Sequence, residues 1–540
     1  MNMRNEPGTC PRHRERTIVV SARTETSTES ADLAKPPGRL GSLGSQGSAK
    51  WWTLTAVSLA AFMTYLDNNV INVAIPTIQR NLHLSIAGLE WVVSSYLLTL
   101  AGLLLVGGRL ADVYGRRRLF LLGMAVFTLS SLAAGLAGSG GVLIASRAVQ
   151  GVGAALLMPS TLAIIMATFT NVRERSMAIG IWAAAGALAL ALGPVVGGLI
   201  SQHVRWGWIF LINVPVGLIT FVIALAYVRE SRAEAAARQL DIPGLVTSAL
   251  ALFALTYALI EGGVKGWTAP LIIGAFALAA GAAGLFGVLE ARGRNPMVDL
   301  AMFRRREFSG GTGTMMIWAF GILGIYFFTS LYLQETLGFS PSKAGLAFVP
   351  MALCVAVFAV LAPRIEVRAG AHRTVAAGMM LMVIGLILFA RLGLRAGYDS
   401  LLPGFMLFGA GAGLMNVPLT NAVMHATPAA RAGVASALLN ASREVAGLLG
   451  ITVIGAVLRT RQSAALRAGA GPVPAFVAGY HAGLLVTIAL LAAGVVISYL
   501  TLRPRADAVH LDEITTVGEL EAIGEALGEL VVPEQAAPPS

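Results

Sequence analysis

The chain has 540 residues, of which 56% are hydrophobic and only 12% charged, with a formal net charge of +11. Soluble domains carry about 25% charged residues, so a large soluble core is excluded. The positive charge sits as arginines in short loops between apolar runs, a pattern that orients a chain in a bilayer and argues against nucleic-acid binding.

Residues 1–50 are rich in Ser, Thr, Arg, Gly and Pro and lack a secretory-type apolar segment. They are expected to form a disordered cytoplasmic tail. Crossing a ~30 Å hydrocarbon core takes about 20 apolar residues. Runs of that kind predict spans near 53–74, 88–108, 119–138, 142–166, 177–200, 207–228, 242–261, 269–289, 309–333, 343–363, 374–393, 401–424, 433–458 and 481–502. The expected fold is an all-α polytopic membrane protein of fourteen spans. Residues 503–540 include the acidic stretch LDEITTVGELEAIGEALGEL and are expected as a second cytoplasmic tail. Cys10 and Cys354 imply neither a disulfide framework nor a metal site.

An even number of spans puts both tails on one side. The arginine-rich segments GRLADVYGRRR, NVRERS, RESRAEAAARQ, ARGRNPMVDLAMFRRREF and PRIEVRAGAHR fall on that side, which predicts a cytoplasmic location for both termini. The loop expected at 459–481 is basic yet falls on the opposite side. After the second span stands GRLADVYGRRRLF; at the matching point of the second half stands APRIEVRAGAHRTV. This worn repeat predicts six-helix bundles at 51–228 and 309–502, with two inserted helices at 242–290. Duplicated halves suit alternating access around a site near the midplane.

The first span contains Asp67. A carboxylate at the bilayer centre costs ~3 kcal/mol or more and ordinarily faces a cavity or a partner. Counting 1.5 Å per residue from the start of its helix, Asp67 lies ~9 Å below the outer face, and Arg147 on the antiparallel fourth span ~8 Å below it. Desolvation disfavours the charged carboxylate and an arginine favours it, so a group set between the two can take and release a proton. Asp67 is thus a candidate proton-coupling acid with Arg147 as its modulator; a purely structural ion pair is the alternative. Thr64, Asp67, Asn68, Ile71 and Asn72 share helical spacing and predict a polar stripe, facing either a substrate cavity or other helices. Asn440 and Glu444 share a face of span thirteen beside Arg443. Glu444 is a candidate second proton site or a structural neutraliser. Glu90, Glu261, Glu290 and Glu335 are expected at solvated helix ends.

Four stretches resemble the major facilitator superfamily, and most closely its fourteen-helix drug:proton antiporter branch, over residues 51–502. LDNNVINVAIP (66–76) is similar to the branch's first-helix signature. GRLADVYGRRR (108–118) is similar to the loop motif after helix two, with Val113 in place of a basic residue. IASRAVQGVGAALLMPS (144–160) matches the fourth-helix motif. GPVVGG (193–198) matches the antiporter motif of helix five, with Ala189 at a usual glycine. WGWIFLINVPVG (206–217) adds to the likeness. The resemblance implies a major facilitator fold and export by alternating access, and it implies the same roles for Asp67 and Arg147. Thr64, Asn68, Asn72, Gln150 and Asn440 are expected along the substrate cavity. Gly108, Asp112, Gly115, Arg116 and Arg117, together with Gly193, Pro194, Gly197 and Gly198, are expected to govern the conformational change.

No GxxxxGK[ST], HExxH or GxSxG is present, so neither ATP-driven pumping nor enzymatic activity is expected, and no cofactor. Protons, an amphipathic small molecule and membrane lipid are the expected partners of a monomer. A proton crossing ~150 mV supplies ~3.5 kcal/mol, enough for roughly a 300-fold gradient of neutral cargo. Two readings stay open: a proton-coupled exporter of drugs, antibiotics or endogenous secondary metabolites, and an uptake symporter for a nutrient or siderophore.

Overall fold

The computed structural model describes residues 42–232, 241–293, 300–393, 397–427 and 432–503. Of the tails expected at 1–50 and 503–540, residues 1–41 and 504–540 lie outside the described residues. The chain divides into units 1–46 and 47–540, and the second holds the helical bundle.

Sixteen α-helices build the described fold: α1 (Ser42–Leu82), α2 (Ile86–Tyr114), α3 (Arg116–Gly135), α4 (Gly140–Thr168), α5 (Val172–His203), α6 (Trp208–Leu211), α7 (Asn213–Tyr227), α8 (Ile242–Lys265), α9 (Pro270–Arg292), α10 (Arg306–Leu331), α11 (Pro341–Ala347), α12 (Val349–Ala369), α13 (Ala371–Ala390), α14 (Tyr398–His425), α15 (Ala432–Arg467) and α16 (Pro472–Thr501). Taken with α6–α7 and α11–α12 as single broken passes, they make the fourteen predicted spans. Thirteen of these are long and apolar enough to cross a membrane by composition alone. The fourteenth, α1, is diluted by Asp67 and its asparagines. In lipid every backbone polar group must be satisfied internally, which leaves the helix as the natural element for such a chain.

Side chains stop the free amides at several helix starts. Ser85 accepts from the Gly88 amide, Asn171 from those of Arg173 and Glu174, and Asp241 from that of Gly244. In the first half, α2 and α3 pack on α4, and α3 on α7. In the second, α12 and α13 pack on α14, and α15 and α16 on α10. The pair α8–α9 packs on itself and sets α8 against both α2 and α15. Outward-facing Leu129, Leu218, Val222, Val360 and Leu500 are exposed, as the lipid face of a membrane bundle requires.

The structure departs from expectation in three places. Helix α1 starts at Ser42, inside the segment read as tail, since elongating a nucleated helix is easy where no proline intervenes. The loop expected at 459–481 is mostly helix. Here α15 runs on to Arg467, and only Ala468–Gly471 connects it to α16, with the break marked by Gly469 at φ 88°. Finally, Glu90 and Glu290 are buried, at 0% and 3% exposure, instead of solvated. The reason is tertiary: Glu90 has a partner, Arg459, 369 positions away in sequence. Glu335 is exposed, as expected.

Candidate functional site

The stripe on α1 delivers Asp67 to the middle of the first half, where other helices supply its surroundings. Arg147 on α4 donates through Nη1 to Asp67 Oδ2 at 2.5 Å, and neither side chain is exposed. Gln150, one turn further along α4, donates to Asp67 Oδ1 at 2.9 Å and accepts from Arg147 at 2.7 Å. Asn213, the first residue of α7, donates to the same Oδ1 at 2.8 Å. Ser131 on α3 receives both amides, from Gln150 at 2.6 Å and from Asn213 at 3.2 Å. The Arg147 guanidinium lies over the Tyr96 ring of α2 at 4.3 Å and over Phe210 of α6 at 5.5 Å. Its Nε reaches the Val92 carbonyl at 3.4 Å.

Such an assembly can hold a carboxylate charged without water. Three donors converge on two oxygens, and a cation in a low-dielectric setting gains from aromatic faces as well. The network is nevertheless incomplete. Arg147 Nη2 and the Tyr96 hydroxyl are buried without a hydrogen-bond partner. Protonating Asp67 would remove the main reason for Arg147 to stay in place, and these unpaired groups leave it alternatives close by.

The sequence placed Asp67 and Arg147 at one depth, and the structure brings them into contact. Gln150, expected along a cavity, is engaged by the carboxylate. Ser131, Asn213 and Tyr96 were missed. Asn213 stands in the segment WGWIFLINVPVG, where a lone amide in an apolar run was the available signal. Among the other expected cavity residues, Thr64 and Asn72 are buried and bond back to the carbonyls of Ala60 and Asn68, while Asn68 itself is half-buried. Asn440 is exposed and bonds back to Ser436. Glu444 is buried and pairs with its neighbour Arg443 at 2.8 Å. Arg443 in turn lies beside Tyr65 of α1, so this pair touches both halves. A cavity of about 270 Å³ between α2, α8, α9, α10 and α15 is lined by Gly102, Phe286, Met316 and Ala441 among others, and by none of the expected cavity residues.

At the opposite end, the GRLADVYGRRR loop is locked by Glu230, just past α7. Glu230 accepts from the amides of Arg117 at 3.1 Å and Arg118 at 3.3 Å. Gly115, at φ 115°, lies so close that a Cβ there would stand 2.6 Å from the Glu230 carboxyl carbon. Asp112 pairs with Arg116 at 3.0 Å within the same segment. A Cβ on Gly108 would meet only ordinary contact with Pro159.

The helix-five glycines divide their work. Gly193 and Gly197 press α5 onto α1 at Asn69 and Val70. Gly198 faces the second half, where a Cβ would stand 2.5 Å from the Pro341 carbonyl oxygen. A Cβ on Gly345 of α11 would fall on the Pro194 carbonyl. Beside them, the Ser342 amide donates to Gln202 at 3.1 Å. Gln334, on a π-helical turn (Tyr332–Thr336), donates to the Val73 carbonyl of α1 at 2.9 Å. These contacts between halves lie at the end remote from the GRLADVYGRRR loop.

Comparison with known proteins agrees with this architecture. The family model described as Major Facilitator Superfamily matches residues 57–451. The chain is 39% identical over 416 residues to the multidrug resistance protein Stp of Mycobacterium tuberculosis (strain CDC 1551 / Oshkosh), covering 77% of each. It is 36% identical over 438 residues to the tetracenomycin C resistance and export protein of Streptomyces glaucescens, covering 81% of this chain and 80% of that protein. The solved structure of the POT family transporter PepTSo superimposes with a TM-score of 0.62 at 15% identity, covering 84% of this chain and 97% of that one.

Proposed function

The chain belongs to the Major Facilitator Superfamily, and from that membership we propose that it is a proton-coupled antiporter exporting amphipathic small molecules by alternating access. The substrates fit drugs, antibiotics or the cell's own secondary metabolites, because the relatives it matches are named for resistance and export. The observation that carries the proton coupling is the buried Asp67–Arg147 pair with its converging amides. The arginine-rich loops support a plasma-membrane location with both termini in the cytoplasm.

On this reading the contacts at Gly198, Gly345 and Gln334 close the outer end. A proton arriving at Asp67 neutralises it, frees Arg147 and Gln150 to rearrange, and lowers the barrier to exchanging the closed end for the other. Cargo carried in the opposite step leaves outward. Gly115, Arg116, Arg117 and Asp112, held by Glu230, act as the inner hinge. Thr64, Asn68, Asn72 and Asn440 are proposed as cargo contacts, and Glu444 as an accessory proton group. No cofactor is needed, and a monomer suffices.

The test is directional. Purified protein is placed in liposomes with an imposed pH gradient and supplied with a panel of fluorescent cationic and neutral amphipaths. Movement of a dye against the proton flux, abolished by a protonophore, is expected. Movement with the proton flux would instead mark a symporter and overturn the proposal.

A further inference from the structure

The second buried ion pair lies away from Asp67. Glu90, one turn into α2, is fully buried and pairs with Arg459 of α15, itself 7% exposed. The pair joins the two halves at the same end as the Gly198 contacts. A Cβ on Gly455, one turn before Arg459, would fall on the Glu90 carboxylate, so the glycine leaves that carboxylate its place in the seam. Arg459 has a further set of partners. Its Nη2 donates to the carbonyls of Leu259 at 3.1 Å and Ile260 at 3.0 Å, near the C-terminal end of the inserted helix α8. Two atoms of the pair, Glu90 Oε2 and Arg459 Nε, are buried without a hydrogen-bond partner.

The other charged groups facing this turn are engaged elsewhere. Glu261 of α8 accepts from Trp91 Nε1 at 3.0 Å and pairs with Lys265 at 3.2 Å. Arg147 of α4 reaches Val92 on the other flank of α2, but its head belongs to Asp67. Glu90 therefore has one counter-ion, and that counter-ion has somewhere else to go. The carbonyls near a helix C-terminus carry partial negative charge and suit a cation.

We propose that Glu90 is a further proton-accepting site, at the outer seal, and that its neutralisation releases α2 from α15 while the inserted helix α8 keeps Arg459. One proton from the outer aqueous phase adds to the carboxylate, the ion pair is lost, and the seam's net charge rises from zero to plus one, held by the Leu259 and Ile260 carbonyls. The proton returns to that phase when the seal closes again. The assignment of this end as outer rests on the proposed antiport function; the release of the seal by protonation does not depend on transport.

The experiment reads the outer gap directly. Spin labels are placed at His203→Cys and Lys343→Cys, both exposed, in a full-length Cys10→Ser/Cys354→Ser background in nanodiscs, and distances are measured by pulsed electron resonance. Lowering the pH from about 8 to about 5.5 is expected to raise the long-distance population about threefold or more. Glu90→Gln should show that population at both pH values. If Glu90→Gln does not accumulate, the doubly neutral Glu90→Gln/Arg459→Gln variant must show the same pH-independent opening. A Glu90 variant that matches the unsubstituted protein at both pH values, or a distance in the unsubstituted protein that ignores pH, overturns the proposal. Loss of dye transport with an intact Glu90 response would count against the antiport reading alone.

Discussion

Asp67 Oδ2 and Arg147 Nη1 stand 2.5 Å apart with neither side chain exposed. Each group alone would be an expensive charge in the bilayer core. Together they are tolerable only while both remain charged, so a proton on Asp67 changes the balance of the whole first half.

Asp67→Asn is therefore expected to reduce gradient-driven efflux to background while the chain still reaches the membrane. It should also be less stable, because a buried ion left without its partner costs about 3–5 kcal/mol. The double variant Asp67→Asn/Arg147→Gln should recover most of that thermal stability and none of the driven transport. Dye flux in liposomes and thermal melting in detergent measure the two effects separately. Recovery of transport by the double variant would mean that the pair is structural.

Asn213→Ala removes a donor from Asp67 and a partner from Ser131. Loss of one buried hydrogen-bond partner costs about 1–3 kcal/mol. The expected outcome is a several-fold fall in proton-driven flux with substrate binding retained, read by flux and by equilibrium binding on the same preparation.

Gly198→Leu places a side chain against the Pro341 carbonyl and Ser342. It should prevent closure of that end and raise passive proton leak, followed by a pH-sensitive dye inside liposomes. Gly180→Ala is the control, because its Cβ would meet nothing within 4 Å. Surface changes of that kind stay within about 0.5 kcal/mol.

Gly115→Ala meets two obstacles, a φ of 115° and the Glu230 carboxylate. Backbone strain of this type costs about 1–3 kcal/mol. Turnover should fall together with the melting temperature. Glu230→Ala, which removes the bonds to the Arg117, Arg118 and Ser231 amides and the ion pair with Arg118 but adds no backbone strain, should have the milder effect on both.

Much of this was legible from residue order. Apolar run lengths located fourteen passes, because the bilayer imposes one length on every element. Helical rise alone placed Asp67 and Arg147 at one depth. What stayed hidden was lateral: rise gives depth but says nothing about which helices are neighbours. Glu90 looked like a solvated helix end and Arg459 like part of a basic loop, since each is sensible only beside the other. Asn213 and Ser131 were obscured for the same reason, as single polar side chains in apolar runs whose partner came from a distant helix. Asp112 was expected to govern the conformational change, and the structure gives it an arginine four residues away.

The side chains that hydrogen-bond the Asp67 carboxylate among the described residues come from α4 and α7, and the supporting groups come from α2, α3 and α6. The hydrogen-bonded surroundings of Asp67 are thus encoded within the first 213 residues. The later half contributes its charges elsewhere, at Glu444 beside Arg443 and at Arg459 against Glu90.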